Sequence, residues 1–130
     1  MKTEDTSKLV YADLTRAVIG AMFEVHNHLG SGLLEKHYQR GLAEELKRRG
    51  IKYIEQFSVK LDYKGTCVGK YYLDFLIDDK VILEIKRGVH FSRNDIQQTL
   101  NYLKALNLKL GLLVYFGKDG VKFKMIVNIR

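Results

Sequence analysis

Three charged side chains lie inside the most apolar run of the chain. The stretch DFLIDDKVILEIK carries Asp74 on one apolar segment and Glu84 and Lys86 on the next, around the acidic turn DDK. In a strand, residues two apart share a face, so Glu84 and Lys86 point the same way as Ile82, while Val81, Leu83 and Ile85 point into the core. A three-residue loop of Asp78, Asp79 and Lys80 makes Ile77 the partner of Val81 and sets Asp74 opposite Glu84 on one face. Their Cβ atoms would then be ~4.5–5.5 Å apart. Two carboxylates at that range repel, and something cationic has to sit between them, either Lys86 or a divalent metal. All-oxygen ligands suit a hard cation, magnesium or manganese. Such an ion polarises a phosphodiester and lowers the pKa of a bound water. Lys86, one step along the strand, could orient that water or steady the phosphoryl oxygens. The plain alternative is a surface salt bridge on a solvated sheet face, because an Asp-x9-Glu-x-Lys spacing is a loose pattern.

The remaining reactive side chains offer less. His26 and His28 are two apart on a helix and face different ways, and His37 and His90 have no evident partners. Each reads as surface or satisfied structure, and zinc finds no site. Cys67 is the only cysteine, which excludes a disulfide framework and a cysteine zinc centre. Its neighbours Thr66 and Val68 read as strand, so a buried, inert thiol is expected, in keeping with a reducing cytoplasm.

The elements that must position the charged hairpin follow from periodicity. Asp13 is a fair N-cap, and Leu14, Ala17, Val18, Ala21, Met22, Val25 and Leu29 repeat at the helical period until Gly30. After the GSG corner a second helix runs from about Leu33 to Arg49, with Leu34, Tyr38, Leu42 and Leu46 inward. Lys47, Arg48 and Arg49 complement its C-terminal end. The period then changes to two. Phe57, Val59, Leu61 and Tyr63 alternate with polar residues, strands follow at about Val68–Ile77 and Val81–Lys86, and Ser92 with Asp95 forms a capping box for a helix over Arg93–Asn107. LGLLVYF reads as a strand covered on both faces, and Val121, Phe123, Met125, Val127 and Ile129 as a last alternating one. The order α-α-β-β-β-α-β-β predicts a mixed central sheet flanked by helices, an α/β or α+β sandwich.

A chain of 130 residues with 46% hydrophobic content supports one domain with one core, expected here over residues 11–130 behind a polar leader at 1–10. The leader is not a signal peptide and no run is long enough for a membrane span, so no membrane partner is expected. The net charge of +7 favours polyanionic partners, nucleic acid first.

Two further motifs sharpen the reading. GLLEKHY holds Gly32, Glu35 and Tyr38 as G-x-x-E-x-x-Y, and QTLNY holds Gln98 and Tyr102 as Q-x-x-x-Y on the helix straight after the hairpin. With the D…ExK hairpin, the chain resembles the GxxExxY proteins, a branch of the PD-(D/E)XK nuclease superfamily, over nearly everything from Leu14 to Ile129. The resemblance implies a restriction-endonuclease-like core with the active site where the central hairpin splays. It implies Asp74 and Glu84 as metal-binding acids, Lys86 as the family lysine, and Glu35 as the extra acid supplied by the core helix. Gln98 and Tyr102 would brace the site or touch nucleic acid. Tyr38, read from the residues, is a core aromatic with a bonded hydroxyl. The corner has Ser31 where the family often has proline, Arg87 is more basic than expected there, and Leu73 stands where the superfamily's name has proline.

The function expected on this basis is metal-dependent hydrolysis of DNA phosphodiesters, selective for structure rather than sequence. Magnesium or manganese would be held by Asp74, Glu84, Glu35 and the Ile85 carbonyl, with Lys86 positioning the water. Arg87, His90 and Arg93 would draw in the backbone, with Gln98, Tyr102 and Tyr38 behind them as substrate-side residues. The alternatives are a non-catalytic nucleic-acid-binding module on the same fold, and a protein-interaction subunit that docks through Ile19 and Phe23 on the first helix as part of a homo-oligomer.

Overall fold

The structure is a computed structural model that describes residues 10–88 and 90–129, so most of the expected leader lies outside the described residues. Two helices, α1 (Ala12–Leu29) and α2 (Glu35–Arg48), precede the strands β1 (Tyr53–Tyr63), β2 (Thr66–Ile77) and β3 (Val81–Ile85). Helix α3 (Arg93–Leu106) then crosses to β4 (Leu110–Gly117) and β5 (Gly120–Val127). The five strands form one sheet in sequence order. Only β3 and β4 run parallel, joined through α3, and the other neighbours are antiparallel.

Helices α1 and α2 cover one face of the sheet. Val18, Met22, Leu42 and Leu46 pack there against Phe75, Leu83 and Val114. Helix α3 covers the other face, with Tyr102 and Leu103 against Leu73, Ile82 and Leu113. Covered on both sides, β3 is buried at all five positions. That explains why its sequence reads as an apolar run, and it makes the acid within it costly.

Several elements depart from the expected bounds. β1 starts at Tyr53 rather than Phe57, because Gln56 takes a left-handed φ of 51° and breaks the alternation that marks a strand. Leu34 is the N-cap of α2 and is exposed, not part of its inner stripe. Cys67 is exposed, not buried, on the β2 segment beyond the reach of β3, with its thiol on the Gly69 carbonyl. Ile129 lies past the end of β5 and is open to solvent. On α1, Ile19 packs against the core, while Phe23 meets Phe123 of β5 edge-to-face and remains exposed.

The packed side of β2 changes at Asp74. Tyr71 and Leu73 belong to the cluster under α3, whereas Phe75 and Ile77 belong to the cluster under α1 and α2. β1 changes with it, since Tyr53 packs with the second cluster and Phe57 with the first, while the β1–β2 register is kept across Gln56. Uninterrupted pleating, assumed from the sequence, therefore does not run through Asp74.

Helix α3 rests close on β4 at Gly111, where an added Cβ would come 2.8 Å from the Thr99 γ-methyl. Thr99 is buried and its hydroxyl donates to the Asp95 carbonyl, so it has little room to yield. We expect Gly111→Ala to cost about 1–3 kcal/mol, as overpacking does. Adding Thr99→Ser, which removes the clashing methyl and keeps the hydroxyl, should restore most of that loss in a chemical-denaturation measurement.

Candidate active site

The hairpin loop sets the register that the site needs. Asp78 and Asp79 both adopt left-handed φ angles, Lys80 N–H donates to the Ile77 carbonyl, and Ile77 pairs with Val81 as the loop length predicts. The β2–β3 ladder then holds for only three pairs and ends at Phe75 and Leu83. Beyond it β2 stays with β1, and β3 stays with β4 through Glu84 and Ile85. The strands part where Asp74 and Glu84 stand.

Parting strands leave backbone N–H groups on their facing edges without ladder partners, and buried donors of that kind must be satisfied. Here the acids satisfy them. Asp74 N–H donates to Glu84 Oε2 at 2.7 Å, and Ile85 N–H donates to Asp74 Oδ2 at 2.7 Å. The two carboxylates thus close the split reciprocally and lose rotamer freedom in doing so. Their proximity comes from this exchange rather than from alternation alone.

Glu84 is 3% exposed, the only buried charged side chain among the described residues. Its other oxygen accepts from the Tyr71 hydroxyl at 2.9 Å and lies 3.9 Å from the Lys86 amine. Burial first, and the neighbouring Asp74 charge second, push its carboxyl up to about 7. Burial also raises Asp74; the bond from Ile85 N–H opposes the rise and the charge of Glu35 adds to it, while Lys86 and the Gln56 amide work against it. Tyr71 is raised well above the ordinary phenol range by burial and then by Glu84, so it stays a hydrogen-bond donor.

Lys86 follows the end of β3, tied to β4 by its N–H on the Val114 carbonyl. Its amine is held between Glu84 and Asp95, at 3.9 and 3.8 Å. Asp95 is also the third residue of α3, where its Oδ2 accepts the Ser92 N–H while Ser92 Oγ accepts the Asp95 N–H. The capping box read from the sequence therefore has a second use, orienting the lysine.

Glu35 opens α2, where the helix dipole favours a carboxylate. It lies close enough for Asp74 to feel its charge, but it is ion-paired with Arg87 at 3.5 Å. Among the described residues no three acidic, histidine or cysteine side chains close into a ready metal cage. What does fit a hard divalent cation is the donor set itself: two adjacent carboxylates in mutual repulsion, with the charge of Glu35 felt at Asp74. A cleft of about 570 Å³ opens between the α1–α2 corner and the ends of β3 and β4, and Glu35, Ile85, Lys86 and Arg87 line it.

Tyr102 is buried and stacks on Tyr71 with ring centroids 4.5 Å apart. Of the two roles the resemblance implied for it, bracing and contact, this geometry fits bracing. Tyr38 is buried, donates its hydroxyl to the Gly30 carbonyl at 2.6 Å and stacks on Phe116, so it locks the corner that precedes Glu35. Gln98 is half-buried, and Arg93 and His90 are exposed beside the start of α3. His26 bonds the Gly117 carbonyl and His28 pairs with Glu24, as satisfied structure. The sequence reading missed Tyr71, Gln56 and the second role of Asp95. Tyr71 lies three residues before Asp74, a spacing that carries no signal in a regular strand; only the face change makes it reach Glu84.

The family described as the PD-(D/E)XK nuclease superfamily matches residues 12–126, and the chain belongs to it. Solved structures agree on the fold. The crystal structure of SSO0001 superposes with a TM-score of 0.52 at 15% identity, covering 90% of this chain and 78% of that one. An alkaline exonuclease from Laribacter hongkongensis superposes with a TM-score of 0.51 at 12% identity, covering 96% of this chain and 74% of that one. No curated protein matches the chain in sequence.

The raised Glu84 carboxyl has a consequence for stability. Between its ordinary value of 4.5 and its folded value of about 7, the folded protein holds a proton that the unfolded chain releases. Stability therefore falls as pH rises through that window, by at most about 3 kcal/mol from this group. In a chelator, the melting temperature of Glu84→Gln relative to the unsubstituted protein should climb from about pH 5 to about pH 8. A gap that stays constant with pH would mean that Glu84 titrates as an ordinary carboxyl.

Proposed function

We propose that the protein is a metal-dependent nuclease that hydrolyses phosphodiester bonds of DNA, of the GxxExxY branch of its superfamily. The observation that carries this reading is the reciprocal Asp74–Glu84 pair at the split of β2 and β3, with the Lys86 amine against it at the edge of the cleft. A burial this costly, in a strand covered on both faces, is better explained by a use for the charges than by stability.

Asp74 and Glu84, with the Ile85 carbonyl and Glu35, would hold magnesium or manganese. When bound, the ion would polarise the phosphodiester and make an attacking hydroxide available near neutral pH. The chain's own groups do the rest. Lys86, kept in place by Glu84 and Asp95, presents its amine to the attacking water or to a phosphoryl oxygen. Tyr71 and Tyr102 fix Glu84 from beneath. Arg87 and Arg93 lie in the open, where they meet the phosphate backbone, and Gln98 flanks them on α3. With no further element in the described residues to read base edges, selectivity would follow the shape of the nucleic acid. A cytoplasmic location belongs to the same reading.

The test is cleavage of plasmid and branched DNA with magnesium or manganese. Lys86→Ala and Asp74→Ala should each lower the rate by at least roughly 100-fold, with an unchanged far-UV circular dichroism spectrum. If DNA is bound in a salt-sensitive way but no product forms over hours, and binding survives Asp74→Ala, the protein is a binding module instead.

A further inference from the structure

The β1–β2 hairpin reaches well past the rest of the sheet. β3 pairs only with residues 75–77 of β2, so residues 57–63 and 66–73 have, among the described residues, no strand neighbour but each other. One face of this two-stranded arm is packed: Phe57, Val59, Leu61, Tyr71 and Leu73 lie in the cluster under α3. The opposite face holds the alternate residues, with Ser58 across from Tyr72 and Lys60 across from Lys70.

That face is built against its own stability. Like charges directly opposite in an antiparallel pair repel. Lys60 and Lys70 are both exposed, and among the described residues neither takes part in an ion pair. The acids at the two ends of the face are already engaged. Asp62 accepts the Gly65 N–H at the tip, and Glu55 accepts from Gln39 at the base. Tyr72 lies between the lysines and the site, half open to solvent. Lys70 and Tyr72 precede Asp74 along β2, so this face ends at the point where the packed side changes and the acid pair stands.

We propose that this face of the arm is a nucleic-acid track, on which Lys60 and Lys70 clamp backbone phosphates of the substrate beyond the scissile bond. The proposal rests on the nuclease reading and adds where the flanking substrate lies. Lys70 is about 13 Å along the strand from Asp74, or about four base-pair steps of duplex. The polyanion relieves the repulsion between the lysines, and Tyr72 gives a flat apolar surface to a sugar or an unstacked base.

The experiment is equilibrium binding of a fluorescent duplex in a chelator, so that hydrolysis is off, across a series of salt concentrations. Three proteins are compared: the unsubstituted chain, Lys60→Ala/Lys70→Ala, and Lys104→Ala/Lys109→Ala. The last removes the same charge at the C-terminal end of α3 and the start of β4. We expect the slope of log K against log salt to fall in magnitude by about 1.8 for the arm variant, since each phosphate contact contributes about 0.9. The control should keep its slope. The arm variant should also melt no lower than the unsubstituted protein, because the substitution removes a repulsion. Equal slopes for the arm variant and the unsubstituted chain, or equal losses in arm variant and control, overturn the track. The track is also overturned if the arm variant loses only its retention on anionic lipid vesicles, which would make the partner a membrane surface. If the unsubstituted protein binds no duplex and no single strand, the nuclease reading itself fails, a result distinct from the others.

Discussion

The structure turns on an exchange of hydrogen bonds between two carboxylates and two backbone amides. Where β2 leaves β3, each strand exposes an N–H that the ladder no longer serves, and the acid of the opposite strand takes it. The bond to each amide favours the charged carboxyl, while burial and the neighbouring acid oppose it. The opposition wins for both acids, and for Glu84 it carries the carboxyl up to about 7. A positive group, Lys86, is near enough to help but is shared with Asp95. The arrangement is held geometrically by the sheet and is electrostatically incomplete, which is what a site for a hard cation and a phosphate requires.

The same exchange explains why the sheet changes its packed side at Asp74. Once β2 is released from β3, its twist is no longer tied to the central strands, and its outer half rolls its apolar residues under α3. β1 follows without losing register because Gln56 absorbs the rotation in a left-handed conformation. The rotation brings Tyr71 beneath Glu84 and sets Tyr72 and Lys70 outward. The split, the brace and the arm are therefore consequences of one local event.

Much of this was legible in the sequence. Periodicity gave all eight elements in order, and the DDK loop gave the Ile77–Val81 pair, because a short loop with two residues tolerant of left-handed φ leaves few registers. Ser92 and Asp95 announced the start of α3 because a capping box is a local interaction. What escaped is what depends on distance. Tyr71 touches Glu84 only after the face change. Cys67 looked buried because its neighbours read as strand, but strand pattern does not say whether another layer covers it. β1 began earlier than expected because its first residues pack on one face and its later residues on the other, so no single alternation spans it.

Helix α3 joins these parts. Its first turn contains the acid that holds Lys86, its middle rests on Gly111 through Thr99, and its next turn carries Tyr102 against Tyr71. The positions Asp95, Thr99 and Tyr102 are four and three residues apart, which places them on one helical face. A shift of the helix along or away from the sheet would therefore disturb the lysine and the brace of Glu84 together. The glycine that admits the helix so close to β4 lies at neither end of the site, yet it sets the height of both contacts. A residue with no chemistry of its own thus controls the spacing of those that have it, because the sheet and the helix act as rigid bodies that meet at their closest point.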